Sequence, residues 1–369
     1  MPKKHRVVIL SCFYDPFPSG GAEIMVKETL ERLGDKYELI LVAAKHYKDV
    51  KIEETRDNYR IVRVGFGNIK IDKFLYPFLG ALEAKKQKPE MAHAIMESYA
   101  GGALVVLKRI APGIKRLLTL QSGDLDDDKK QKVVYVRYFW KLIHMAPNYI
   151  TAISGFLAKR AIRLRACKDN VEVIPNGVDL SIVPQSIVKT PFQIFNHSRF
   201  SWEKAHDLII EAWPKVVEKY SEAKLILVND GPEKEKIVQL VKKKGLEDSV
   251  IMKGLMPQKD AFKLLAQSEI FICPSLAEGL GNVFIEAQAA GVVPVGTRVG
   301  GIPDVIQDME NGLLIDSKNS EQIAEAIIKL LDDKALRNKL RSKGLETSKL
   351  FEWGVVMSRI ENVYNDILK

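Results

Sequence analysis

The chain has 369 residues, and at ~100–200 residues per domain that length calls for two domains. Apolar residues make up 46% and charged residues 28%, as in an ordinary globular protein, which excludes a disordered, collagen-like or disulfide-scaffold chain. The net charge of +9 sits entirely in the first half, where residues 1–184 hold 31 basic and 21 acidic side chains. In chain order, apolar β-branched runs predict strands at Arg6–Ser11, Leu39–Ala43, Arg60–Val64, Met91–Ile95, Arg116–Gln121, Tyr149–Ile153 and Val171–Ile174. After a polar gap, Asp179–Pro191, strands resume at Phe192–Asn196, Lys224–Val228, Val250–Met252, Ile270–Cys273 and Val292–Val295. Amphipathic segments predict helices at Glu23–Leu33, His206–Tyr220, Glu233–Lys244, Lys259–Ala266 and Ser320–Leu331, and two helical segments, Lys334–Lys349 and Trp353–Leu368, end the chain.

Alternating strands and helices mean parallel sheets with helices on both faces. The expected fold is α/β, with two doubly wound, Rossmann-like domains facing each other across a deep cleft. The boundary is placed near residue 185, giving domains 1–185 and 186–354. No run of ~18 uncharged apolar residues exists, so no transmembrane helix is expected. The apolar run Val7–Leu10 is too short for a signal-peptide core. Cys12, Cys167 and Cys273 form no CxxC pattern and are read as reduced thiols of a cytoplasmic protein, with no zinc site. The basic first half suggests an anionic partner: nucleic acid, an anionic membrane surface or a phosphorylated substrate. A plain solubility surface is the competing account.

Ligands of open α/β sheets sit beyond the carboxyl ends of strands, so the residues just after strands carry the argument. After the first strand, Gly20-Gly21 open a helix, where backbone amides and the helix dipole favour an anion. After Phe192–Asn196, Arg199 and Lys204 flank one point and form a workable pair for a diphosphate. The strongest segment runs Pro274-Ser275-Leu276-Ala277-Glu278-Gly279-Leu280-Gly281-Asn282-Val283-Phe284-Ile285-Glu286. A helix starting near Asn282 offers first-turn amides for a phosphate, and Glu286 lies one turn up the same face. A carboxylate there suits a vicinal diol such as ribose.

Glu278 and Glu286 have the E-x7-E spacing, and with it the chain resembles the retaining GT-B glycosyltransferases of family 4, also called group 1. Gly20-Gly21, Ile174-Pro175-Asn176-Gly177-Val178-Asp179, Arg199…Lys204, Asn229-Asp230-Gly231-Pro232, Gly300-Gly301-Ile302-Pro303 and Asn311-Gly312-Leu313-Leu314 follow the same family in order. The resemblance implies a metal-independent sugar transfer from a nucleotide-diphosphate-sugar, such as a UDP-, GDP- or ADP-sugar, to a glycan or lipid-linked acceptor hydroxyl. It implies no cofactor. Catalysis falls to Arg199, Lys204 and Glu278. Donor binding falls to Gly20, Gly21, Asn229, Gly254, Gly279, Leu280, Gly281, Asn282, Val283 and Glu286. Gln121, Ser122 and His93 are assigned to the acceptor side, with a core or cleft-wall histidine as the other reading of His93. The final helix, 355–369, is expected to pack back on the first domain.

The chain departs from the family pattern at Gln121, where a histidine is usual beside the sugar. Ser198, Ala205 and Asn229 stand where glycines are usual. A DxD lies within Asp124–Asp128, and an acidic cap of the following basic helix is the simpler account than a metal site. Lys129, Lys130, Lys132, Arg137 and Lys141, with Tyr138, Phe139 and Trp140 as anchors, are candidate contacts to an anionic membrane, peripheral on its inner face. Packing of those aromatics on the first-domain sheet is the alternative. Two rival functions remain: a nucleotide-sugar epimerase on the same fold, and a non-catalytic basic protein binding membrane or nucleic acid. Nucleic acid is disfavoured, because no RNA-binding signature accompanies the aromatics.

Overall fold

A computed structural model describes residues 4–14, 20–122, 134–164, 166–184 and 187–369, and the side chains of 134–137 lie outside that description. It divides into two compact units, residues Met1–Asn176 with Trp353–Lys369, and Gly177–Glu352. The division therefore falls at Asn176, ahead of the expected boundary at residue 185, which itself lies outside the described residues. The polar gap that starts at Asp179 already belongs to the second unit, so a change in composition marks the linker late.

In the first unit, eight described strands form one sheet: β1 (Arg6–Leu10), β2 (Glu38–Ala44), β3 (Glu53–Thr55), β4 (Tyr59–Val64), β5 (Met91–Ile95), β6 (Lys115–Leu120), β7 (Tyr149–Ala152) and β8 (Val171–Val173). Their order is β3-β4-β2-β1-β5-β6-β7-β8, and only the β3–β4 pair is antiparallel. The order reverses between β1 and β5, the switch point at which such sheets open a crevice. The central strands are buried on both faces, which is why they read as unbroken apolar runs. The helix Trp353–Leu368 joins this unit: Trp353, Val356, Met357, Ile360, Val363 and Tyr364 are buried in one cluster with Val7, Ile9, Leu39 and Met91.

In the second unit, six described strands follow the order β11-β10-β9-β12-β13-β14, all parallel. They are β9 (Gln193–His197), β10 (Lys224–Val228), β11 (Val250–Gly254), β12 (Ile270–Cys273), β13 (Val293–Thr297) and β14 (Leu313–Ile315). The switch point here lies between β9 and β12. Their following loops hold Arg199 and Glu278, so the fold itself brings the two segments together. The core of this unit centres on Trp213, whose indole N–H donates to Ser249 Oγ at 3.0 Å.

Candidate active site

Asn196 at the end of β9 organises the first segment. It is fully buried, and its Nδ2 donates to the carbonyl of Ile272 on β12 at 2.6 Å. Its Oδ1 accepts from the backbone N–H and the hydroxyl of Ser198, at 3.1 and 2.8 Å. A short 3-10 turn, Trp202–Lys204, follows and ends at Ala205 in the left-handed region, φ 49°. Ala205 thus adopts the conformation that suits the family's usual glycine, and the helix His206–Lys219 starts directly after it. Arg199 is exposed, and its side chain has no partner among the described residues.

The 3-10 turn carries Lys204 to the Glu278 loop. Leu276 N–H donates to the Glu203 carbonyl at 2.7 Å, and the Lys204 ammonium forms an ion pair with Glu278 Oε2. Both side chains are largely buried, at 19% and 17% exposure. Burial alone would lower the lysine pKa, but the facing carboxylate outweighs it and holds the ammonium above its ordinary value. The loop is backed from below. Gly301 N–H donates to the Glu278 carbonyl at 3.1 Å, and a Cβ at Gly300 would lie 1.9 Å from that oxygen.

Gly281, at φ 92°, begins the helix Asn282–Ala289, and no side chain caps it. A Cβ at Gly281 would meet the Phe284 ring at 2.6 Å. The N–H groups of Asn282 and Val283 therefore face outward from an uncapped terminus, the arrangement that suits a phosphate. Glu286 stands one turn along. It is half-buried among the buried Phe284, Ile285 and Ala287, and its carboxyl has no hydrogen-bond partner among the described residues. Removal from water pushes its pKa up to about 7. A half-buried carboxyl with no protein donor opposite it is open to a ligand that supplies the donors.

The third wall is the turn after β10. Asn229 N–H donates to the Gly254 carbonyl at 2.9 Å, which places those two expected donor-side residues side by side. Phe200 N–H donates to the Asp230 carbonyl at 3.0 Å, and a Cβ at Gly231 would lie 2.3 Å from the Phe200 carbonyl oxygen. The turn is thereby clamped to the Arg199 segment. Gly254 has φ 67° with open space where a Cβ would be. Asn311-Gly312, by contrast, belongs to the framework: Asn311 is fully buried, and its Nδ2 donates to the Val305 carbonyl at 3.0 Å.

The first unit corrects two expectations. His93 is not an acceptor-side residue: it is fully buried, with Nδ1 2.7 Å from the Tyr364 hydroxyl and Nε2 2.7 Å from Thr119 Oγ1. Burial drops its pKa to about 3, so it is a neutral core histidine. Gln121 does not hold its amide free for a sugar. Its Nε2 donates to Asn176 Oδ1 and Asn176 Nδ2 donates to its Oε1, both at 2.9 Å. Ser122 is half-buried beside it, and the carbonyl of Ser122 accepts from Arg160 Nη2 at 2.9 Å. Glu97 and Arg160, which no motif marked, form a buried ion pair under this segment, and Glu97 Oε2 accepts the Gln121 N–H at 3.1 Å. The pair joins residues 63 apart in sequence, so no local spacing could announce it.

At the Gly20-Gly21 turn, the Gly20 N–H already donates to Glu23 Oε2 at 2.9 Å, so an anion reaching that amide has to displace a carboxylate. Asp124–Asp128, Lys129, Lys130 and Lys132 lie outside the described residues, and so does the Arg137 side chain. No group of three or more metal-ligating His, Cys, Asp or Glu side chains occurs among the described residues. No helix among the described residues is long and apolar enough to cross a membrane.

The family described as Glycosyl transferases group 1 matches residues 179–347, and Glycosyltransferase Family 4 matches residues 19–182. Together they span both units in order. The chain belongs to the group 1, family 4 glycosyltransferases. Among curated relatives, it is 31% identical over 233 residues to the N-acetyl-alpha-D-glucosaminyl L-malate synthase of Bacillus anthracis, covering 60% of each chain. It is 27% identical over 292 residues to the lipopolysaccharide core biosynthesis glycosyltransferase LpsE of Rhizobium meliloti, covering 76% of this chain and 77% of that one. The match to the Bacillus anthracis enzyme thus spans a little over half of that relative's length. An uncharacterised glycosyltransferase of Methanocaldococcus jannaschii aligns over 98% of both chains at 26% identity. In structure, the group 1 chain superposes on a Thermosynechococcus elongatus sucrose-phosphate synthase with a TM-score of 0.84, at 19% identity and 99% coverage of both. It superposes on Anabaena HepE in complex with UDP-glucose with a TM-score of 0.79, at 17% identity, covering 98% and 99%. These likenesses establish the GT-B fold.

Proposed function

We propose that the chain moves a sugar from a nucleotide-diphosphate-sugar to the hydroxyl of a glycan or lipid-linked acceptor, with retention and without a metal ion. The observation that carries this reading is the half-buried Glu286 carboxyl, without a partner among the described residues, one turn above an uncapped helix terminus. A ribose 2′,3′-diol supplies the two missing donors, and its diphosphate then reaches the amides of Asn282 and Val283. The HepE structures hold UDP and UDP-glucose, which supports UDP-sugars as the first donors to test.

In the reaction, the bond from the anomeric carbon to the diphosphate oxygen breaks, and a bond to the acceptor oxygen forms on the same face. The nucleoside diphosphate leaves with the electron pair, and its phosphate oxygen takes the acceptor proton. Negative charge therefore grows on the diphosphate. Lys204 is pre-positioned for it by Glu278, and the exposed Arg199 guanidinium is free to fork onto the same group. Glu278 also offers an acceptor to a donor-sugar hydroxyl once Lys204 shares its charge with the phosphate.

Thermal-shift titration with UDP-, GDP- and ADP-sugars tests the donor, because a ligand of the native state raises Tm by mass action. Transfer assays with and without EDTA, and the anomeric configuration of the product, test the remainder. No shift with any nucleotide or nucleotide-sugar overturns the proposal.

A further inference from the structure

The helix Ile69–Lys86 turns its apolar side the wrong way for a globular protein. It buries Asp72, Tyr76, Gly80, Ala81 and Ala84 against the first unit. Ile71, Phe74, Leu75, Phe78 and Leu82 are exposed, at 50%, 65%, 36%, 58% and 56%. Their spacing is i, i+3, i+4, i+7 and i+11, which places them in one stripe spanning an arc of about 100°. No acidic residue lies on that arc. Lys85 and Lys86 are exposed beside its far end, Lys70 is exposed at its near end, and Lys73 Nζ lies 5.3 Å from the Phe74 ring centroid.

Other exposed apolar residues lie in the same unit. Phe66, just before the helix, is 66% exposed. On the helix Val134–Met145, Tyr138 and Phe139 are 64% and 46% exposed and Trp140 is half-buried, so the sheet-packing alternative fails for the first two. Phe139 and Pro77 of the Ile69–Lys86 helix both border the Gly102 position, so the two helices meet there, on the flank of the Ile69–Lys86 helix and not on its exposed stripe. Isolated exposed apolar residues need no explanation, but a contiguous set with a basic rim does.

We infer that this face docks the first unit onto an anionic phospholipid bilayer, with the helix lying in the interface plane. Charge complementarity selects that occupant: the first half holds all the excess positive charge, and Lys70, Lys73 and Lys85 flank the stripe, while Lys86 pairs with Glu83 at 3.4 Å just off it. The helix spans 18 residues, about 27 Å at 1.5 Å per residue, enough for a surface helix that inserts its apolar side by ~5–10 Å. The lysines reach the headgroup phosphates, and Phe74 and Phe78 reach the acyl boundary. This surface belongs to the first unit alone and stands whatever the second unit binds.

The test is co-sedimentation of the full chain with vesicles of phosphatidylglycerol and phosphatidylcholine, against phosphatidylcholine alone, at low and high salt. Phe74→Ser/Phe78→Ser/Leu82→Ser is the apolar variant, and Lys85→Gln/Lys86→Gln the charge variant. Tm and nucleotide-induced thermal shift confirm that each variant is folded. The expected result is binding to the anionic vesicles only, weakened by salt, and reduced at least about tenfold in the apolar variant. Absence of wild-type binding at low salt overturns the inference, as does binding that both variants retain in full. Light scattering that shows a dimer, dissociated by the apolar variant, also overturns it, since a second copy then covers the face.

Discussion

Gln121 and Asn176 exchange both of their amide hydrogen bonds, each at 2.9 Å, across 55 residues of sequence. The pair stands at the carboxyl end of β6, above the Glu97–Arg160 ion pair. Gln121 thereby ties the end of a strand to the last residue before the second unit, and its amide has a structural task that a histidine would meet differently.

Gln121→Ala is therefore expected to act on stability first. It leaves the Asn176 amide, 2% exposed, without its partner, at a cost of about 1–3 kcal/mol. Urea denaturation reads the loss, and kcat/KM of the surviving folded enzyme is expected to change less than tenfold. Unchanged stability with a large drop in kcat/KM would return Gln121 to the substrate.

Arg199 and Lys204 are expected to separate in a stability assay although both serve the leaving diphosphate. Lys204→Ala strands a largely buried Glu278 carboxylate and is expected to lower stability by roughly 1–3 kcal/mol. Lys204→Ala/Glu278→Ala is expected to cost less than the sum of the single changes, because the two residues are in contact. Arg199→Ala is expected to leave Tm unchanged and to lower kcat more than it raises KM, since the charge it meets grows in the transition state. Full activity of an Arg199, Lys204 double variant would remove both from the mechanism.

Glu286 predicts a pH dependence with a definite sign. Its folded pKa is raised from 4.5 to about 7, so the native state holds a proton that the unfolded chain has released. Folding then takes up a proton between these values, and this contribution to stability is present below about pH 4.5 and lost as pH rises through 7. Glu286→Gln is expected to be more stable than the wild type at pH 8, by about 1–3 kcal/mol, with the gap closing toward pH 5. Nucleotide binding runs the other way. Ribose hydroxyls need the ionised carboxylate, so affinity is expected to rise with pH up to about 7, with proton release on binding that calorimetry in two buffers detects. Equal proton release by Glu286→Gln would exclude this residue as its source.

Two glycines with positive φ predict different costs. A Cβ at Gly300 would overlap the Glu278 carbonyl, whereas one at Gly254 would meet nothing within 4 Å. Gly254→Ala is expected to cost about 1–2 kcal/mol from backbone conformation alone. Gly300→Ala adds the overlap and is expected to cost more and to weaken nucleotide binding by shifting Glu278. Equal denaturation midpoints for the two variants would contradict this account.

The strands of both sheets were legible because a strand buried on both faces is an apolar run, and observed ends differ from the expected ones by at most two residues. β3 escaped because Glu53-Glu54-Thr55 is a polar edge, and β14 because it is three residues long beside a glycine. The helix Ile69–Lys86 escaped because its exposed side is as apolar as its buried one, which flattens the periodicity. Tyr99–Ile110 escaped for a related reason: Ala100 to Leu104 are all buried, so no polar face alternates with an apolar one. Arg199, Lys204 and Glu278 were legible because each follows a strand within a few residues, and Glu286 because it lies one turn into the helix after that loop. Asn196, Glu97 and Arg160 were not, because each works through a partner far away in sequence.

The Trp353–Leu368 helix has a consequence for how the protein is born. Its buried face completes the core of the first unit, yet it is translated only after the whole second unit. At about 5–20 residues per second, the nascent first unit waits on the order of ten seconds or more with the groove beneath Tyr364 and Trp353 unfilled. The second unit, continuous in sequence, has all its pieces before then. Vectorial synthesis therefore lets the later-made half mature ahead of the earlier one, and the first unit closes its core only when the last helix arrives.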